Sequence, residues 1–225
     1  MSAASKGVEK CLWFSVSLPR NADEWDWISV MYGYTPFVWI GFVFVVLLWR
    51  RRDTRQLSYL LQPAFVLLMN EIIKHIVKQP RPEGACGAST GMPSSHSALS
   101  IGSITAVTLD LITTPPTRAT LAADTVVWSF MFLVLLPVPV SRVVLGDHSV
   151  QQTLAGCFSG MLFGSLWFWL LLQLRQYTAK YLGEPLWRTF IIHNYAPVNF
   201  IKDEEETEVN RQLKDEATVG GRVEV

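Results

Sequence analysis

Charge is what this chain has least of. Of its 225 residues only 17% are Asp, Glu, Lys or Arg, against about a quarter in a soluble globular domain. Half are hydrophobic (50%) and nine are Trp, so a disordered protein is excluded and a soluble one is not expected. Lys plus Arg and Asp plus Glu each total 19, a formal net charge of zero, which speaks against a basic nucleic-acid binder. Cysteine is scarce too. Cys11, Cys86 and Cys157 form no CxxC and no metal-ligand spacing, so neither a disulfide framework nor a zinc site is expected. There is no N-x-S/T acceptor and no acidic cluster of the kind that holds Mg²⁺. A secretory signal pattern is not legible: Cys11 to Leu18 is short and lacks small residues at a cleavage position.

The charges that exist are unevenly placed. Residues 201–225 hold eight acids and four bases, leaving fifteen bases and eleven acids in the first 200. Elsewhere uncharged stretches approach the roughly 20 residues that a helix needs to cross a bilayer. They are residues 27–49, 56–70 with continuation towards Val77, 96–109 with continuation to Ile112, 125–141 interrupted by Pro137 and Pro139, and 148–174. Unpaired backbone cannot face lipid, so the pattern predicts an all-α, multi-pass transmembrane helical bundle of about five spans.

The expected organisation is an N-terminal lumenal or interfacial segment (1–26), a membrane-embedded domain (27–175), an interfacial segment (176–201) and an acidic, solvated cytosolic tail (202–225). Arg50, Arg51, Arg52 and Arg55 cluster between the first two spans, and the positive-inside rule makes that loop cytosolic. The loop 78–95 and the stretch 142–148 then share the opposite, lumenal or external side.

Ionisable residues at a membrane face are expensive and mark function. Lys74 ends the second span, and a helix carried through KHIVKQPRP would place Arg81 two turns on, on the same face. The turn-rich GMPSSHS sets Ser94, Ser95 and His96 before the third span, where a helix start offers free N–H groups and its positive dipole end to an anion. Ser141-Arg142 closes the fourth span and His148 opens the fifth. Cations, a serine-rich helix start and a pair of imidazoles on one side suit phosphoryl transfer. Lys and Arg hold phosphate oxygens, one imidazole can attack phosphorus, and the other can protonate the leaving oxygen. No metal or other cofactor is called for. Glu71, one turn before Lys74, can orient it by an ion pair, and Gly156, Gly160 and Gly164 repeat at the spacing of a close helix-packing face.

Lys74-x6-Arg81-Pro82, Pro93-Ser94-Ser95-His96 and Ser141-Arg142-x5-His148 together resemble the three-part signature of the type 2 phosphatidic acid phosphatase (PAP2) superfamily. Ser95 stands where that signature has Gly, and Gln152 where it has Asp, four residues after the last His. Both departures, with Asn70-Glu71 and Gly91-Met92, resemble the superfamily's dolichyl-diphosphatase branch.

The resemblance implies His148 as the phosphohistidine-forming nucleophile and His96 as general acid. Lys74, Arg81, Ser94 and Arg142 would bind phosphate, with Ser95 beside them. It leaves open whether Gln152 or Asp147 orients His148. It further implies a polyprenyl diphosphate substrate such as dolichyl diphosphate in the bilayer. The site would face the lumen of the endoplasmic reticulum, in support of dolichyl phosphate recycling for protein N-glycosylation. Other lipid phosphates (phosphatidate, sphingoid phosphates) and a non-catalytic binder or scramblase-like protein are the alternative readings.

Overall fold

The computed structural model describes residues 8–49, 54–86, 90–113 and 118–181, so the acidic tail, His193 and most of the expected interfacial segment lie outside the described residues. The chain opens with an antiparallel hairpin, β1 (Val8–Leu12) and β2 (Val16–Pro19), joined by a 3-10 turn over Trp13–Ser15. Six helices follow: α1 (Glu24–Trp49), α2 (Thr54–Val77), α3 (Ser95–Thr113), α4 (Arg118–Leu135), α5 (Val138–Val144) and α6 (Val150–Tyr181).

Local chemistry sets the boundaries. α1 starts at a reciprocal cap in which the Asp26 N–H donates to Asp23 Oδ1 and the Asp23 N–H to Asp26 Oδ2, both at 3.0 Å. α2 stops at Val77, with Lys78 left-handed (φ 52°) and its N–H on the Lys74 carbonyl at 3.0 Å. Pro80 lacks an N–H and forbids helical geometry to the residue before it. Arg81 therefore does not share a helical face with Lys74, as helix continuation predicted; it comes from the loop. The prolines at 137 and 139 act as expected: α4 ends before them and α5 starts immediately after Pro137.

Among the described residues four stretches are long and apolar enough to cross a membrane: Glu24–Val46, Leu57–Val77, Thr125–Val144 and Val150–Leu174. The expected fifth span, α3, is 19 residues long but falls short in apolarity. The reason lies in its position. α3 packs against α1, α2, α4, α5 and α6, and it buries His96, Ser97, Ser100, Ser103 and Asp110 against protein. Ser100 and Ser103 are satisfied by the His96 carbonyl (2.9 Å) and Gln62 Oε1 (3.1 Å). The surrounding helices present Phe44, Leu68, Phe130, Leu133 and Phe158 outward, where lipid can cover them.

The glycines of α6 bring it onto α3. A Cβ at Gly156 would lie 2.6 Å from the Ser94 carbonyl oxygen, one at Gly160 2.5 Å from that of Ala98, and one at Gly164 2.5 Å from that of Gly102. Backbone cannot yield as a side chain can. Gly160→Ala is expected to cost about 2–3 kcal/mol in stability and to lower turnover by parting the starts of α3 and α6. Thermal unfolding and activity in the same detergent would check it.

Two features depart from the sequence expectations. The hairpin is a small β element in a bundle expected to be all helix. Its turn contains no glycine, although Phe14 (φ 61°) and Ser15 (φ 57°) both take left-handed geometry, so the usual hairpin signal is missing. Cys11 and Cys86 form a disulfide, where none was expected. They are 75 residues apart in sequence, and spacing alone cannot reveal such a pair; the fold sets their Cα atoms 5.4 Å apart. Val16 and Leu18 pack with Val30 and Leu145, seating the hairpin on α1 and on the chain just ahead of His148.

Candidate active site

The site lies at the end of the bundle where α2 ends and α3 and α6 begin. Lys74, buried on the last turn of α2, pairs with Glu71 Oε1 at 2.7 Å, the orienting contact expected of that glutamate. Ser95, the first residue of α3, accepts from Asn70 Nδ2 (3.1 Å) and lies 3.4 Å from Glu71 Oε1. Ser94 is fully buried: its N–H donates to the Gln152 carbonyl (3.0 Å), its Oγ accepts from Ser97 (3.2 Å), and its own carbonyl receives the Ala98 N–H (3.0 Å). Ser94 thereby links the starts of α3 and α6.

Arg142, on α5, is 0% exposed, and its Nη2 donates to the Ser15 carbonyl (2.7 Å) and to Asp147 Oδ2 (3.0 Å). Arg142 Nε and Nη1, His96 Nε2 and His148 Nδ1 are buried and make no hydrogen bond. The groups sense one another: the charges of Arg142, His148, Arg81 and Lys74 all act on His96. Buried polar nitrogens without partners cost free energy, and an anion placed among them would recover it at the guanidinium N–H groups of Arg142. The residues singled out in three separate stretches of sequence are thus gathered at one end of the fold.

Of the two residues proposed to orient His148, Gln152 lies within hydrogen-bonding reach of the imidazole and also binds the neighbouring loop, whereas Asp147 is engaged elsewhere. Gln152 Nε2 donates to the Pro80 carbonyl (2.7 Å) and Gln79 Oε1 (3.2 Å), and its Oε1 accepts from the Ser149 N–H (3.3 Å). It ties the α6 start to the loop carrying Arg81. Gly91 makes room for this amide, since a Cβ there would fall 2.6 Å from Nε2. Asp147 turns to Arg142 and Ser17. Sequence reasoning missed the contribution of Ser15 and Ser17, and of Phe14, Tyr34 and Phe37. Phe37 meets His96 edge-on at 5.5 Å and stacks on Phe14 at 4.0 Å, with Tyr34 at the edge of Phe14. No periodic pattern in the first forty residues marks them.

Burial pushes the His148 imidazole down to about 3; Arg81 and Arg142 act in the same direction, and Gln152 and the Gly91 backbone oppose it. His148 is accordingly neutral, the form a nucleophile needs, well below the ordinary imidazole range. Between about pH 6.5 and pH 3 the unfolded chain binds a proton here that the native state does not, so this residue lowers native stability as pH falls. At pH 5 that amounts to about 2 kcal/mol. His148→Asn is expected to flatten the acid side of the stability–pH curve by that amount, read by chemical denaturation in detergent from pH 7 to 5.

The fold recurs in a membrane phosphatase. A solved structure titled as the first transmembrane PAP2 type phosphatidylglycerolphosphate phosphatase from Bacillus subtilis superposes with a TM-score of 0.54, covering 72% of this chain and 82% of that one. At 19% identity the likeness is one of fold. The PAP2 superfamily profile matches residues 55–176, more than half of the chain, and the chain belongs to that superfamily. Among its curated relatives, the protein named dolichyldiphosphatase 1 of Dictyostelium discoideum is 26% identical over 180 residues, 78% of each chain. That of Homo sapiens is 33% identical over 141 residues, 59% of this chain and 58% of the other. The protein is a multi-pass membrane enzyme of a lipid phosphatase family.

Proposed function

We propose that the enzyme removes the terminal phosphate of a polyprenyl diphosphate, converting dolichyl diphosphate to dolichyl phosphate. The observation that carries this reading is the set of buried, unpartnered Arg142 donors and imidazole nitrogens of His96 and His148, beside Lys74, Arg81 and Ser94. The terminal phosphoryl group sits among these groups, with Ser95 adjoining. An imidazole nitrogen of His148 attacks its phosphorus while His96 gives a proton to the bridging oxygen, so that dolichyl phosphate leaves and phosphohistidine remains. Water, losing its proton to His96, then attacks the phosphohistidine, which frees inorganic phosphate and restores both imidazoles. Arg142, Arg81 and Lys74 hold the charge on the equatorial oxygens in both steps.

The names of the curated relatives support the substrate. So does the aromatic shelf of Phe37 and Phe14 beside His96, since the leaving oxygen carries the lipid and a branched isoprene packs well on aromatic faces. The lumenal face of the endoplasmic reticulum fits the Cys11–Cys86 disulfide, because such bonds persist in oxidising compartments. In sequence the arginines at 50–52 fall between α1 and α2, and the positive-inside rule favours the cytosol for that connection. In that place the enzyme would recycle dolichyl phosphate for N-glycosylation.

The test is phosphate release by the purified protein in detergent, with chelator present, from dolichyl diphosphate, phosphatidate and a sphingoid phosphate. Turnover of dolichyl diphosphate well above the others is expected. Preference for phosphatidate overturns the substrate, loss of activity with chelator overturns the metal-free mechanism, and ligand binding without turnover points to a binder.

A further inference from the structure

The Arg142–Asp147 pair is held by an element far away in sequence. Both side chains are 0% exposed. Asp147 accepts the Ser17 N–H at 3.1 Å through Oδ1 and also receives the Ser17 hydroxyl. The same hydroxyl accepts the Cys86 N–H at 3.1 Å. Cys86 is disulfide-bonded to Cys11, and Cys11 is the cross-strand partner of Ser17 in the hairpin. At the hairpin turn the Ser15 carbonyl takes Arg142 Nη2 at 2.7 Å. Nη2 is thus fully engaged, while Nε and Nη1 keep their donors free. A guanidinium with one nitrogen pinned between a carbonyl and a carboxylate has its plane fixed, and what it offers to a phosphate is fixed with it.

We propose that Ser17 and Asp147 are positioning residues for Arg142, and that the disulfide-tethered hairpin is a working part of the phosphate site. Ser17 fixes the Asp147 carboxylate, the carboxylate and the Ser15 carbonyl fix the guanidinium, and the disulfide fixes the hairpin to the loop that carries Arg81. The inference rests on the phosphate-site reading above. It applies to any lipid phosphate the enzyme accepts, because it concerns the phosphoryl group alone.

The probes are inorganic phosphate and orthovanadate as competitive inhibitors of the purified full-length protein, with thermal unfolding measured alongside. Ser17→Ala is expected to weaken inhibition and raise KM about tenfold, the value of a hydrogen bond to a charged group, with a smaller change in kcat. Ser17→Thr, which keeps the hydroxyl, should restore most of the loss. In an Arg142→Lys background the Ser17→Ala effect on inhibition should vanish, because there is no guanidinium plane left to orient. A merely structural role would give the same penalty in both backgrounds, and that result, or no change in either, overturns the proposal. If Ser17→Ala does not fold, the Cys11→Ser, Cys86→Ser double variant loosens the same hairpin and is judged by the same comparison. A wild type that neither probe inhibits overturns the phosphate-site reading and this inference with it; inhibition intact in the wild type but unmoved by the variants overturns the inference alone.

Discussion

Replacing His148 with alanine is expected to reduce phosphate release by more than about a thousandfold while leaving the bundle folded. Among the described residues the proposed nucleophile has no substitute: His96, the other imidazole in the site, stands beside the aromatic shelf and is assigned to the leaving oxygen, and His75 is exposed with its Nδ1 on the Glu71 carbonyl at 2.8 Å. Losing a covalent path altogether costs more than losing one donor to a phosphate oxygen, which is worth about two to three orders of magnitude at most. Stability should not fall in parallel. His148 brings a desolvated ring with an unsatisfied Nδ1 into the native state, and the alanine removes that unmet polar group along with the packing. The informative companion is His96→Ala. It should retain a slow first step and lose the second, so that a brief reaction with radiolabelled substrate leaves acid-labile phosphate on His96→Ala protein and none on His148→Ala protein. Label on the His148→Ala protein would remove His148 from the role assigned to it.

The parts of this site that were legible in the sequence are those that obey local rules. Uncharged runs announced α1 and α2 to within a few residues and α4 and α6 to within about two turns, because the bilayer demands them. Glu71 beside Lys74, the prolines that end α4 and the glycines of α6 were legible because each leaves its mark within one or two turns of sequence, the glycines by their four-residue repeat even though they act on α3. What stayed hidden acts across long sequence separations. Ser17 and Asp147 are 130 residues apart, Ser15 and Arg142 127, and Cys11 and Cys86 75. No periodicity encodes such pairs, and the hairpin that joins them turns through Phe14 and Ser15 without a glycine to mark it. Arg81 is the instructive error. Helical arithmetic placed it over Lys74, but Pro80 ends the helix before that arithmetic applies, and the loop delivers Arg81 to the site by another route. α3 misled in the opposite sense: its serines lower its apolarity below that of a span because neighbouring helices, not lipid, surround them.

Arg142→Ala should be the most damaging single change for fold and function together. It leaves Asp147 buried, pushed upward by burial and no longer opposed by its cation, and removing one member of a buried pair costs about 3–5 kcal/mol. Burial also makes the damage separable. If the loss of stability comes from the stranded carboxylate, then Arg142→Met combined with Asp147→Leu should recover most of it, since apolar side chains of similar bulk often replace a buried ion pair without penalty. The double variant should still release phosphate at least about a hundredfold more slowly than the wild type, because no donor remains where Nε and Nη1 stood. Unfolding midpoints together with kcat/KM for wild type, Arg142→Ala and the double variant decide the matter. Recovery of activity along with stability would mean that Arg142 serves the fold and does not hold phosphate. Failure to recover either would mean that the hairpin depends on the ion pair itself and cannot dock on α5 and the chain ahead of His148 without it.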